Sequence, residues 1–431
     1  MKRKIINSFL ILSASTAISK LFSIFNRMLL ARLLPNDAMT LYLLIMPTLS
    51  LCITIGQLGI PSAVFRLVSH PKYNNLKTVM SAIILSLFSV IVMCAVLFIF
   101  APIISNDLLK NSQTLYPILS FILFIPLVAI SGIIKNFLLA KGHMFVVAKT
   151  QIVEELSRLL FVYLMLKNPM FSSYEFLVTI AYLSMSVGEF LSIVYMLFKI
   201  NSHYQIPHIE IDAKNIILKD ILNISLPLTG SRLYHCFVNF LEPITLIYVL
   251  TSLGFEHNYV QSQYAIISGY VVSLLVTPTF FCNIIYRIYL PIATNDLYYK
   301  KKETYRHLFI ALLSCLLIGL PFTIIFFFFP KQSLQLLYNT TSGYNELKYM
   351  SIPFILFYLQ TPLSVILQAK NKNKEMFMIS ILECTLEIIL TFILSHYFSI
   401  HSILMSLFIG ILITLIISAV LTYFIIKDTS S

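Results

Sequence analysis

Apolar runs of about 20 residues recur from one end of this chain to the other, and they constrain its fold more than any other feature. Hydrophobic residues make up 58% of the 431 residues and charged residues only 11%, whereas soluble domains average about 25% charged residues. Each run is long enough to cross the hydrocarbon core of a bilayer as a helix. The composition therefore excludes an ordinary soluble enzyme, a disordered chain and a secreted disulfide scaffold.

The runs predict an all-α polytopic membrane protein with about 12 transmembrane helices, because lipid forces each spanning segment to satisfy its own backbone hydrogen bonds. They are too long and too uniformly apolar for the alternating strands of a membrane barrel, which need roughly 10 residues each. The predicted spans are 5–26, 38–62, 78–103, 114–136, 146–166, 174–198, 222–250, 259–282, 306–329, 347–367, 375–395 and 402–426.

Lysines and arginines are distributed unevenly between the two sides of these spans. With the N-terminus in the cytoplasm, most of the 30 lysines and arginines fall in inner segments, including Lys135 and the run Lys300–Lys302. Such an excess is typical of the cytoplasmic side of a membrane protein. We predict a multi-pass protein of the plasma membrane with both termini cytoplasmic. The net charge of +12 is then explained without a nucleic-acid partner.

A polar inner segment near the middle of the chain predicts two halves. Six predicted spans precede residues 201–215 and six follow, as in transporters built from repeats. We expect an N-terminal six-helix bundle over 1–200, a cytoplasmic inter-bundle loop over 201–215 and a C-terminal six-helix bundle over 216–431. Short matches in corresponding spans, such as Ser19–Leu21 with Ser231–Leu233, favour a duplication.

Polar residues inside the spans need a reason, since a charge at mid-membrane costs about 2.5–3.5 kcal/mol on the most lenient scale. In span 1, Lys20 and Arg27 share a helix face, with Asn26 beside Arg27. Both are candidates for binding an anion. The alternative for Arg27 is an anchor that extends its charge to the outer interface.

Span 5 combines both signs of charge. Glu154 and Arg158 are four residues apart, a spacing that favours an ion pair within one helix. We predict that this pair is structural. Glu155 then remains as a supporting polar residue.

Spans 7 and 11 carry the other charged candidates. Arg232, Asn239 and Glu242 lie on one polar stripe of span 7, together with His235. In span 11, Glu383 and Glu387 are four residues apart with no cation in the same helix, so one is expected to be protonated or paired with another span. For these acids, structural pairing and a transport role both stay open.

Sequence motifs for catalysis and metal binding are absent. The chain contains no P-loop pattern and no nucleophile–base arrangement, and its six cysteines are scattered singly. We therefore expect a protein that is not an enzyme and has no cofactor and no metal site.

Several segments resemble the stage V sporulation protein B family. The likeness is strongest in Ile18–Arg27, Leu30–Leu34 and Gly59–Ser62, and it continues in Gln151–Arg158 and Ser225–Thr229. Relatives of this family include the MurJ lipid II flippases and the polysaccharide exporters. All belong to the multidrug/oligosaccharidyl-lipid/polysaccharide (MOP) superfamily, so the resemblance implies a MATE-like fold of two six-helix bundles.

The resemblance also implies a function in cell-wall or polysaccharide biosynthesis, during sporulation or growth. A member of this family would flip an undecaprenyl-diphosphate-linked oligosaccharide, or a peptidoglycan precursor like lipid II, across the bacterial cell membrane by alternating access. By family position, Lys20, Arg27 and Arg32 would hold the diphosphate, and we expect Arg232 to join them. Asn26, Asn239, Glu242, Glu155, Glu383 and Glu387 would support binding or ion coupling.

Two alternatives stay open at this stage. A cation-coupled multidrug exporter of the same fold would use acids such as Glu189, Glu242, Glu383 or Glu387. A membrane scaffold without transport would tolerate neutral residues at the cationic positions. The lipid-linked sugar, the bilayer and proteins of cell-wall synthesis are the expected partners.

Overall fold

The computed structural model describes residues 19, 21–70, 74–167, 173–201, 215–299 and 303–430, and these are helical apart from short connections. By their internal contacts they divide into two units, Met1–Cys236 (unit 1) and Phe237–Ser431 (unit 2). The boundary falls within one long helix. Most of the expected inter-bundle loop, 202–214, lies outside the described residues, so the division at 201–215 stays a prediction.

Unit 1 is built from eight helices and the first part of a ninth. They are α1 (21–33), α2 (Asn36–Gln57), α3 (Ile60–Val68), α4 (Asn75–Ile103), α5 (Leu115–Leu119), α6 (Phe121–Ala140), α7 (Met144–Leu166), α8 (Tyr174–Asn201) and α9 (Asn215–Ser252). An apolar core joins α3, α4, α6 and the start of α9, with Ile60, Val64, Ala82, Ile133 and Ile221 fully buried.

Unit 2 contains the rest of α9 and nine further helices. They are α10 (His257–Tyr264), which a π-helix over Ala265–Val272 continues, α11 (Ser273–Val276), α12 (Thr279–Tyr299), α13 (Thr304–Phe328), α14 (Pro330–Tyr338), α15 (Tyr344–Ser351), α16 (Ile355–Ala369), α17 (Asn373–Phe398) and α18 (Ser402–Ser430). Residues of α12, α13, α16 and α18 form its largest described apolar core.

Helices α17 and α18 form an antiparallel hairpin. The hydroxyls of Thr391 and Ser406 lie 2.7 Å apart, and those of Ser395 and Ser402 lie 2.8 Å apart. The residue number rises along α17 while that of the hydrogen-bonded partner falls along α18, so the two helices are antiparallel. Small hydroxyl side chains let the two backbones approach closely, as is common between membrane helices.

Seven helical stretches of the described residues are long and apolar enough to cross a membrane, or up to nine if each of two bent pairs is one span. One of the seven, Asn373–Lys427, contains both helices of the α17–α18 hairpin. Helix α7 is not among these stretches, because it carries several charged residues. The predicted span 5–26 could not be assessed, because most of it lies outside the described residues. The count of 12 spans stays a prediction.

The two bent pairs correct the predicted span ends. The span expected over 259–282 breaks between Val276 and Thr279, and the chain then bends by 40° into α12. Pro278 lies at this break, and Pro353 lies at the 48° bend between α15 and α16. Proline has no N–H to donate and disfavours helical backbone at the preceding residue, which accounts for both breaks.

Candidate functional site

A buried network of charges joins three helices of unit 1. Lys135 of α6 places its Nζ 2.8 Å from Glu154 Oε2 of α7 and 3.1 Å from Glu189 Oε2 of α8. The hydroxyl of Ser131 also donates to Glu189, and that of Ser192 does so at 3.3 Å. Lys135 lies within α6, which continues past it to Ala140, so its assignment to the inner side of the membrane stays a prediction.

The pair predicted within α7 is one part of this network. Arg158 Nη2 lies 3.2 Å from Glu154 Oε1, and Arg158 Nη1 lies 3.4 Å from Glu155 Oε1. Glu154 is therefore shared by Arg158 and Lys135, and its contact with Lys135 is the shorter one. With two cations and three carboxylates, the network compensates most of its own charge within the helix bundle.

A glycine of α8 permits the close packing on which this network depends. A Cβ atom at Gly188 would lie 2.9 Å from the backbone oxygen of Glu154 and 3.7 Å from Cβ of Arg158. Helices α7 and α8 are therefore in near-backbone contact at this level. The approach brings Glu189, the next residue, within reach of Lys135.

Helix α1 approaches the same side of unit 1. The hydroxyl of Ser19 donates to Oε1 of Gln151 on α7 at 3.4 Å. Further along, the charges of Arg27, Arg158 and Glu155 all act electrostatically on Tyr42 of α2. Arg27 of α1 and the charges of Glu155 and Arg158 on α7 thus all lie within electrostatic range of Tyr42.

The other residues expected to bind the cargo differ in their exposure. Arg27 is half-buried, whereas Arg32 and Arg232 are exposed. Asn26 is 4% exposed, and its Oδ1 has no hydrogen-bond partner among the described residues. Lys20 lies outside the described residues.

Unit 2 holds a different arrangement, in which carboxylates act on one another. Glu242 of α9 interacts electrostatically with Glu387 of α17, and Glu387 with Glu383. Tyr264, at the end of α10, interacts with both Glu242 and Glu387. Among the described residues, none of these three carboxylates forms an ion pair. Like charges so placed favour uptake of a proton or a cation.

The polar stripe expected on span 7 is divided between the units. Arg232 belongs to unit 1, and the half-buried Asn239 and Glu242 belong to unit 2. Asn239 lies about one turn before Glu242 on α9, so both are on one face.

Sequence reasoning missed Lys135, Tyr42 and Tyr264 as members of these clusters. One signal was available for Lys135. Glu189 has no cation three or four residues away on its own helix, and a buried carboxylate requires one from elsewhere. The two tyrosines lie in apolar stretches and gave no signal.

Comparison with known proteins gives a matching family model and two similar proteins. The family model described as polysaccharide biosynthesis protein matches residues 5–294. Stage V sporulation protein B of Bacillus subtilis (strain 168) is 29% identical over 383 residues, which cover 86% of this chain and 74% of that protein. Sporulation protein YkvU of the same strain is 23% identical over 392 residues, covering 87% and 84%.

Solved structures agree on the architecture. An inward-facing multidrug resistance MATE family transporter of the MOP superfamily superposes with a TM-score of 0.71 at 13% identity, over 98% of this chain and 99% of that one. An outward-facing transporter of the same description gives 0.68 at 13% identity, over 100% and 96%. At these identities the likeness shows the fold.

The all-α MOP architecture and the family resemblance expected from the sequence are therefore confirmed. Family and fold indicate a membrane transporter rather than an enzyme. This chain is a multi-pass membrane protein with the MOP transporter fold, and it belongs to the polysaccharide biosynthesis protein family.

Proposed function

We propose that this protein flips an undecaprenyl-diphosphate-linked oligosaccharide, or a lipid II-like peptidoglycan precursor, from the inner to the outer leaflet of a bacterial cell membrane. The match of residues 5–294 to a polysaccharide biosynthesis family, on a MOP transporter fold, carries the proposal. Polysaccharides are built on lipid carriers on one side of the membrane and used on the other. A transporter in this family therefore needs a lipid-linked sugar as cargo.

The cargo's diphosphate needs cations in a setting with little water. Lys20, Arg27, Arg32 and Arg232 are the proposed ligands, since guanidinium groups match phosphate oxygens in geometry and charge. The unsatisfied Oδ1 of Asn26 can accept a hydrogen bond from a sugar hydroxyl. A membrane potential of 100 mV, negative inside, would favour outward movement by about 2.3 kcal/mol per negative charge.

We propose a supporting role for the mixed-charge network of unit 1. Glu155 and Arg27 both act electrostatically on Tyr42, and we propose that Glu155 limits the repulsion on Arg27 while no cargo is bound. Lys135, Glu154 and Glu189 hold α6, α7 and α8 together. We assign these three a structural role.

The carboxylates of unit 2 suit a coupling role. Glu387 interacts with both Glu242 and Glu383, and none of the three forms an ion pair with a described residue. Binding of a proton or a monovalent cation would relieve their repulsion, and its release would restore it. With Asn239, they are the proposed coupling site.

Complementation tests the cationic site. Arg27→Ala and Arg232→Ala should each fail to rescue a strain depleted of its lipid-linked sugar flippase, at normal abundance on immunoblots of the membrane fraction. Each substitution removes a charged hydrogen bond of about 1.5–3 kcal/mol, which is roughly 10- to 100-fold in affinity. Arg27→Lys and Arg232→Lys should retain part of the activity.

The matched control is Arg66→Ala, which removes an exposed arginine from the last turn of α3 and should complement fully. Full complementation by both alanine variants would contradict the cationic site. A wild-type protein that confers dye resistance without rescuing the depleted strain would favour the multidrug exporter. Rescue of neither phenotype would favour the scaffold.

A further inference from the structure

Three metal-ligating side chains converge where α12 ends and α13 begins. His307 Nδ1 lies 2.6 Å from Asp296 Oδ2, and His307 Nε2 lies 3.7 Å from Glu303 Oε2. One ligand atom from each of the three side chains lies within 4.8 Å of the other two. All three residues belong to unit 2, and the carboxylates described above are on other helices.

The cluster lies against an apolar core, and its three side chains differ in exposure. Ala293 and Leu297 flank Asp296 on α12 and pack with Leu308 of α13 in that core. The side chain of Asp296 is 2% exposed, whereas that of Glu303 is 47% exposed. An ion could thus reach the site past Glu303 and keep water on that side.

Two buried hydroxyls of the same helices form no hydrogen bond within the described part of the chain. Tyr289 Oη and Thr304 Oγ1 are both without a hydrogen bond to any described residue. Tyr289 is 4% exposed, lies about two turns before Asp296 on α12, and interacts electrostatically with that carboxylate. A buried polar group without a hydrogen bond is destabilising, so unsatisfied hydroxyls here are consistent with a polar occupant nearby.

We propose that Asp296, Glu303 and His307 bind a divalent transition-metal ion of the Zn²⁺ or Mn²⁺ class. The buried hydroxyl of Tyr289 then acts electrostatically on one of the ligands, Asp296. One imidazole and two carboxylates are a ligand set that such ions accept, whereas Mg²⁺ and Ca²⁺ prefer oxygen ligands alone. A neutral imidazole and two carboxylates carry a charge of about −2, which one divalent ion neutralises.

The bound ion would link the end of α12 to the start of α13. It bridges the segment 300–302, which the lysine and arginine distribution assigns to the cytoplasm. The site would therefore take up its ion from the cytoplasm. Binding of the ion would stabilise the contact between the two helices. Metal binding at this site does not depend on which cargo the protein carries.

Direct binding to the purified full chain in detergent tests the site. After treatment with EDTA, Mn²⁺ is titrated by electron paramagnetic resonance, and Zn²⁺ by competition with a chromogenic chelator. We expect one ion per chain and a higher midpoint of thermal unfolding with the ion bound. His307→Gln and Glu303→Gln should each weaken binding at least about 10-fold because each removes a ligand, and Tyr289→Phe should weaken it by less because it removes only a polar group near a ligand.

A matched control is His401→Gln. His401 Nε2 lies 3.3 Å from Glu346 Oε1, but no third ligand joins this pair in the described part of the chain. This variant should bind the ion as the wild type does. Glu303 is exposed, so its variant keeps the test valid if His307→Gln fails to fold. Absence of one-to-one binding by the wild type, or equal binding by Glu303→Gln and His307→Gln, would overturn the site and leave an ordinary ion pair.

Discussion

Lys135 is the residue at which carboxylates from two other helices contact one buried ammonium group. Its Nζ contacts Glu154 and Glu189, and both partners are largely buried. Removing one partner of such a group leaves a buried charge uncompensated, which costs about 3–5 kcal/mol. The network therefore tolerates paired changes far better than single ones.

We predict that Lys135→Met strongly lowers the midpoint of thermal unfolding, and that Lys135→Met/Glu189→Gln recovers most of the loss. The reason is that the double variant removes a cation together with one of its two carboxylates. A thiol-reactive dye can follow unfolding, since five of the six free cysteines are buried.

The control for this prediction is Lys372→Met. Lys372 pairs with Glu375 at 2.7 Å, but on the surface, where ion pairs contribute about 0–1 kcal/mol. If Lys135→Met lowers the midpoint no more than Lys372→Met does, the buried network is not stabilising.

At this scale the sequence predicted contacts within a helix but not between helices. The spacing of Glu154 and Arg158 indicated their pair, because residues four apart on a helix are neighbours. Spacing carries no information on which helix lies opposite, so the contacts of Lys135 with Glu154 and Glu189 could not be derived. For the same reason, the electrostatic interaction of Tyr264 with Glu242 could not be derived from the sequence.

Helices α7 and α8 owe their close contact to one glycine. Gly188 faces the backbone oxygen of Glu154, and an added Cβ would lie 2.9 Å from it, closer than real Cβ atoms come. We predict that Gly188→Ala destabilises the protein, although alanine has a higher helix propensity than glycine by about 1 kcal/mol. The displaced helix would also stretch the contact between Glu189 and Lys135.

A second helical glycine provides the control. Nothing lies within 4 Å of a Cβ built on Gly230 of α9. Gly230→Ala should therefore leave the unfolding midpoint unchanged or raise it, as propensity alone dictates. The two substitutions should have opposite signs in one thermal unfolding assay. A rise for Gly188→Ala would mean that α7 and α8 are not in near-backbone contact.

Element ends were less predictable than element type. Apolar length indicated helices throughout, and the described residues bear this out. Hydropathy does not register a bend, so the span expected over 259–282 ran through the break at Pro278. A proline in a membrane helix is tolerated wherever neighbours satisfy the freed carbonyl, which sequence alone does not reveal.

Over the whole molecule, the two units use buried charge differently. Unit 1 combines both signs in one bonded network, whereas the three carboxylates of unit 2 have no cationic partner among the described residues. A bonded network stabilises one arrangement, and unpaired carboxylates respond to protons and cations. The proposed division of roles, binding support in unit 1 and coupling in unit 2, follows from this contrast.

Membrane topology is the last prediction, and it concerns the chain as a whole. Lysines and arginines accumulate on the side that holds both termini, 201–215 and 300–302, so all of these should be cytoplasmic. Green fluorescent protein inserted at 201–215, or fused after Ser431, should fluoresce, and alkaline phosphatase should be inactive at both sites. At 340–342, between α14 and α15, the two reporters should behave in the opposite way. Active phosphatase at 201–215 would invert the second half of the chain. It would then place the proposed metal site outside the cell, where Zn²⁺ or Mn²⁺ would have to come from the medium.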